Sequence, residues 1–183
     1  MEVGHSLESG IRFAESAPTS EGSQAGDMTM EMPTPGAAHF KLEKLVGFWR
    51  GEERVYPSPW DPRGGNAVGR VRNRIALGGF VLIHDYEQER NGKTALVGHA
   101  VLRWDAMAER YVLLWFDSMG MPPNEFYGDL EGDVLTLVSQ DPQGWIRAVW
   151  DFGEEGRYSY LMEASPDGEK WEPLMEGEYL REG

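Results

Sequence analysis

The chain has 183 residues, a formal net charge of −14 and no cysteine. Its length suits one domain that buries roughly 70% of its unfolded surface. The negative charge sets the surface against phosphate backbones and anionic headgroups, so neither nucleic acid nor a membrane surface is an expected partner. The lack of cysteine removes disulfides, thiolate nucleophiles and thiolate-held metal. Twenty-three glycines with seven tryptophans, seven tyrosines and seven phenylalanines favour β-structure with many tight turns.

Residues 1–36 are rich in Ser, Gly, Thr, Pro and Glu, with Phe13 as their one aromatic. Such a stretch cannot offset the entropy of ordering and is expected to be a disordered acidic extension. It has neither the basic start nor the apolar run of a secretory signal. No stretch approaches the roughly 18 apolar residues of a membrane span. Cytoplasmic residence is the expectation.

The folded domain is expected over residues 37–183. Phe40, Leu42, Leu45 and Val46 have a brief helical spacing that can close one end of a barrel. The period then changes to two. Strands are predicted near 47–56, 67–77, 79–90, 94–104, 110–118, 124–130, 133–140, 145–152, 157–165 and 173–181. Ten short strands in succession predict an antiparallel up-and-down meander, and closing it removes the exposed edges of an open sheet.

Turn chemistry supports these boundaries. Asn91-Gly92 supplies the two residues that tolerate positive φ in a type I′ hairpin. Glu131-Gly132-Asp133 and Pro166-Asp167-Gly168 are further turns. The stretch from Tyr56 to Gly65 holds three prolines and reads as a structured loop over a barrel mouth. Arg70, Arg72 and Arg74 recur at every second position, on one solvated strand face.

Gly47-Phe48-Trp49 at the first strand and Tyr179-Leu180-Arg181 at the last resemble the two ends of a calycin (lipocalin-like) barrel. The resemblance implies that Trp49 plugs the closed end and Arg181 packs over its ring, both structural. The stretches Leu45–Glu53, Ala76–Phe80, Trp104-Asp105 and Trp115–Gly120 further resemble a bacterial family catalogued as domain of unknown function 1579. That resemblance implies a lipocalin-like fold and no established activity.

With Trp49 inward, alternation places Gly51, Glu53 and Val55 inside and Arg50, Glu52 and Arg54 outside. Inward Arg181 likewise implies inward Met175, Gly177 and Tyr179, with Glu176 and Glu178 outside, facing Arg50 and Arg54 if the first and last strands pair.

The Asn91-Gly92 turn opposes Arg90 to Lys93, Tyr86 to Val97 and His84 to His99. The two histidines become cross-strand neighbours with Cβ atoms about 5 Å apart. Such a pair can bind metal, relay protons or orient a ligand; two neutral imidazoles on a barrel wall are the plainer reading, and no third metal ligand is evident. The reverse face carries Asp85. If Trp104 opposes Tyr111, then Ala100 faces Trp115, Gly98 faces Asp117, and Asp85 looks toward Asp117, a carboxylate pair suited to acid–base work. A turn role for Asp117 is the plainer alternative. Both faces are largely apolar, and the histidine face is the expected lining.

The leading functional reading is a module that binds a small apolar or amphipathic ligand inside the barrel. His84, His99 and Tyr86 are its contacts, with Trp115 and Asp117 if the other face is interior. The alternative is an isomerase, cyclase or hydrolase using His84 with His99 or Asp85 with Asp117, although no nucleophile elbow or phosphate loop accompanies them. A third is assembly, including homo-oligomerisation, through Trp60 and the proline loop. Haem comes last. The stretch Gly51 to Pro57 is similar to the nitrobindin barrel, whose axial histidine lies on a late strand, and no histidine follows His99 here. No cofactor or metal is expected.

Overall fold

The computed structural model describes residues 31–183. The extension expected over residues 1–36 lies largely outside the described residues. A single helical turn, α1 (Ala37–Phe40), runs into a 3-10 segment, Lys41–Leu45, that buries Leu42 and Leu45. Ten strands follow: β1 (Gly47–Val55), β2 (Gly65–Ala76), β3 (Val81–Arg90), β4 (Lys93–Asp105), β5 (Arg110–Asp117), β6 (Asn124–Glu131), β7 (Val134–Asp141), β8 (Gly144–Asp151), β9 (Arg157–Ser165) and β10 (Glu172–Glu182). Each pairs antiparallel with its sequence neighbour, and β1 pairs with β10, so the sheet closes into an up-and-down barrel with no free edge. No helix of the described residues is long and apolar enough to cross a membrane.

The closure is built on period-two alternation. Along β1 burial falls on Trp49, Gly51 and Glu53, and along β2 on Ala67, Gly69, Val71 and Asn73. Trp49 lies opposite Arg181, and Gly51 opposite Tyr179. The Trp49 ring is 2% exposed, meets Tyr158 edge-on at 4.9 Å and donates its Nε1–H to Leu45 O at 2.8 Å. The Arg181 guanidinium lies 4.2 Å from that ring and donates to the backbone carbonyls of Val46 and Lys44. The closed end is therefore one unit, in which the tryptophan plug, the late arginine and the 3-10 segment share the Leu45 region.

Outside, Arg70, Arg72 and Arg74 are exposed. Arg70 pairs with Glu89 at 3.0 Å, and Arg72 lies over Phe48. Arg54 does oppose Glu176, but Glu176 accepts from the Tyr56 hydroxyl and Glu178 pairs with Arg157. The loop between β1 and β2 is ordered by its own polar groups: Ser58 and Asp61 bond each other's backbone, and Asp61 Oδ1 accepts from Gly64 N at 3.1 Å.

One register departs from the sequence reading. The β3–β4 hairpin turns at Asn91 and Gly92, both at positive φ, and Arg90 opposes Lys93. Glu89 then opposes Thr94 but Gln88 opposes Leu96, so Ala95 is an extra residue, a β-bulge. Beyond it every partner moves by one: Tyr86 faces Gly98, Asp85 faces His99 and His84 faces Ala100. The His84–His99 cross-strand pair is therefore absent. The physical reason is parity, because one extra residue sends His99 to the opposite face from His84.

Candidate ligand site within the barrel

The bulge makes the lining a composite of the two faces that strict alternation kept apart. From β3 it takes the histidine face, Leu82, His84, Tyr86 and Gln88; from β4 it takes the other, Leu96, Gly98, Ala100 and Leu102. The β4–β5 register is as expected, with Trp104 opposite Tyr111, Ala100 opposite Trp115 and Gly98 opposite Asp117. Small residues clear the space for Trp115, since a Cβ on Gly98 would stand 2.1 Å from Trp115 Cη2. His84, Tyr86 and Trp115 form one aromatic group, with ring centroids 6.4 Å, 6.2 Å and 6.0 Å apart and the His84 and Tyr86 planes nearly parallel.

His99 and Asp85 lie outside this group. His99 Nδ1 is 2.6 Å from Asp85 Oδ1, with side chains 47% and 45% exposed on the outer wall. Neither acid–base pairing expected from the sequence is assembled: His84 and Asp117 point inward while His99 and Asp85 point out. Asp117 holds a turn, accepting from Met119 N at 2.9 Å, and it also takes the Nε1–H of Trp115 at 2.9 Å. It thus orients the ring that the lining depends on.

His84 is anchored from below. Its Nδ1 is 2.8 Å from Asn73 Oδ1, and Asn73 Nδ2 donates to Leu45 O at 2.8 Å. Burial lowers the imidazole pKa to about 4, so the ring is neutral near pH 7. His84 and Tyr160 are half-buried. Among the described residues the sole fully buried side-chain polar atom without a partner is Arg110 Nε. His84 Nε2 and the Tyr160 hydroxyl bond no described residue and keep accessible surface. Trp150 packs on Tyr160 at 4.9 Å and, with Ile146 and Leu96, extends the apolar lining.

A second polar group, built around Glu53, escaped the site reading. Glu53 is 3% exposed and accepts from the hydroxyls of Tyr86 (2.9 and 3.0 Å) and Tyr179 and from Gln88 Nε2 (2.9 Å). Burial raises its pKa against the lowering effect of these donors and of Arg90. Burial, and then the charge of Glu53, raise the Tyr86 phenol far above its usual value. Gln88 in turn accepts from Arg90 Nε at 3.1 Å, and Arg90 pairs with Asp61 of the proline loop. A polar chain thus runs from the loop at the mouth to a carboxylate in the interior.

Glycine makes room for this carboxylate. A Cβ on Gly69 would lie 2.3 Å from the Tyr179 hydroxyl and 2.4 Å from Glu53 Oε1. Gly69→Ala is expected to cost about 2 kcal/mol by overpacking, read as a lower urea midpoint at unchanged slope. An unchanged midpoint would show that Tyr179 moves aside freely. The available sequence signal was the charged Glu53 in an inward row otherwise made of Trp49, Gly51 and Val55.

An open groove of about 860 Å³ crosses the outer wall, flanked by Glu52, Arg54, Glu176 and Glu178. Its outer carboxylates, Glu52, Glu176 and Glu178, are exposed and partly paired, and its lining also takes in Glu53 and Tyr160 from the inward rows. No group of three or more His, Cys, Asp or Glu side chains that could hold a metal gathers among the described residues.

Comparison with known proteins agrees with this architecture. Rv2717c from M. tuberculosis shares the fold with a TM-score of 0.61 at 16% identity, over 81% of this chain and 99% of that one. The S-type phycobiliprotein lyase CPES from Guillardia theta does so with a TM-score of 0.54 at 11% identity, over 80% of this chain and 93% of that one. No curated protein matches. Residues 34–181 match the family described as "Protein of unknown function (DUF1579)". With that match running from before α1 into the last strand, the chain belongs to the DUF1579 family and carries a lipocalin-like fold, a closed ten-stranded antiparallel barrel.

Proposed function

We propose that the barrel binds a small apolar or amphipathic molecule in its interior, with His84, Tyr86 and Trp115 as contacts and Asp117 holding Trp115 in place. The observation that carries this reading is the position of His84, enclosed in the barrel among aromatic rings with Nε2 free of any described partner. Binding sites of this kind are mostly apolar with a few convergent polar groups. His99, on the outer wall, has no part in it.

Titration with N-phenyl-1-naphthylamine tests the reading. The expected result is saturable one-to-one enhancement of probe emission with energy transfer from tryptophan. Trp115→Ala is expected to weaken binding about tenfold, equivalent to about 1.4 kcal/mol. Lack of saturable emission with the native chain, or full affinity in Trp115→Ala, would remove the interior as the site.

A further inference from the structure

The hydrogen-bond chain behind His84 has a fixed chemical sense. Leu45 O can only accept, so the Asn73 amide atom that meets it at 2.8 Å is the NH2 group. The oxygen of that amide is then the atom 2.8 Å from His84 Nδ1. Two acceptors cannot bond each other, so Nδ1 carries the proton. A neutral imidazole has one ring proton, and Nε2 is left as a bare lone pair.

The donors of the rings beside it and of Gln88 are committed elsewhere, which leaves the Tyr160 hydroxyl as the uncommitted one. Tyr86 gives its hydroxyl to Glu53, and Trp115 gives its Nε1–H to Asp117. Gln88 gives its amide to Glu53 and the Tyr86 oxygen. Nor, among the described residues, does an unbonded carboxylate face His84 to welcome a cation: Glu53 is 3% exposed with both oxygens bonded, and Asp117 gives its two oxygens to Trp115 and Met119. The walls beside His84 are flat rings, and β4 contributes only Gly98 and Ala100 opposite Tyr86 and His84.

From this juxtaposition we infer that the ligand is a neutral, flat aromatic or heteroaromatic molecule that donates an N–H or O–H hydrogen bond to His84 Nε2. The inference rests on the interior being the binding site. A ligand lacking the donor leaves the lone pair desolvated without compensation, which a site presenting a bare acceptor rejects more strongly than a change of apolar bulk.

The test compares indole with 1-methylindole, which differ at the donor, by calorimetric titration of the full chain and of His84→Phe. Indole is expected to bind at least tenfold more tightly to the native chain, and His84→Phe to abolish the difference. Independently, 15N spectra of the histidine rings are expected to show the proton of His84 on Nδ1 and a shift of Nε2 on adding indole but not 1-methylindole. This second measurement decides the matter alone if His84→Phe does not fold. Equal affinity of the two indoles, a preference that survives in His84→Phe, or a proton on Nε2 would overturn the inference. If N-phenyl-1-naphthylamine binds while the indole preference is missing, the donor rule fails alone; if neither probe nor indole binds, the interior reading falls with it.

Discussion

Trp49→Ala is expected to lower stability by about 4 kcal/mol, the cost of opening a large cavity where a fully buried aromatic stood. The ring is 2% exposed, packs on Tyr158, and carries the Arg181 guanidinium on its face. Its removal also leaves Leu45 O with Asn73 as its remaining side-chain donor, which loosens the anchor of His84. The measurement is urea unfolding followed by far-ultraviolet circular dichroism. Arg181→Met, which keeps the apolar stem but loses the charge over the ring, is expected to cost only about 1 kcal/mol. A Trp49→Ala loss no larger than that of Arg181→Met would mean that the plug is not what closes the barrel.

The second large effect is a dependence on pH that passes through His84. Its pKa falls from an ordinary 6.5 to about 4 on folding, chiefly through burial, with Asp85 opposing and His99 assisting the fall. The other groups that face the ring, Asn73, Tyr86 and Trp115, carry no charge near neutrality. Between those two values the unfolded chain holds a proton that the folded chain does not, so stability rises with pH across this window. The contribution is present in full above the unfolded value and is lost as pH falls toward about 4, by about 3 kcal/mol. Glu53 acts with the opposite sign: its raised pKa favours the folded state at low pH and disfavours it as pH rises from the ordinary 4.5. The comparison that isolates His84 is therefore the native chain against His84→Phe, which leaves Glu53 in place. Urea midpoints at about pH 7.5 and about pH 4.5 should fall much further for the native chain. Parallel losses in the two proteins would show that His84 is protonated in the fold.

The barrel itself was legible because its signals are local or rest on a two-residue period. Asn91-Gly92 formed the expected turn, and the inward row of Trp49, Gly51 and Glu53 followed from alternation alone. The β4–β5 register held across a longer connection, and Asp117 took the turn role its residue type favours. What failed was parity across one rung of one hairpin. Ala95 has no feature that distinguishes a bulge from an ordinary strand residue, since a bulge of this kind needs no glycine. Its effect nevertheless spread down both strands and separated His84 from His99. The Glu53 cluster was hidden for a different reason. Its partners Tyr86, Gln88 and Tyr179 lie 33, 35 and 126 residues away in sequence, and only barrel closure brings β3 and β10 to the same carboxylate.

The position of Ala95 also separates two tasks along the wall. Omitting it leaves six residues between Gln88 and Leu96, the number that a plain hairpin with the same Asn91-Gly92 corner accommodates, so His84 still meets Ala100 and the inward face keeps its residues. The rim can thus gain or shed length above that rung without turning any inward side chain below it over. Strand length at the rim and the chemistry of the inner wall are, at this hairpin, independently adjustable.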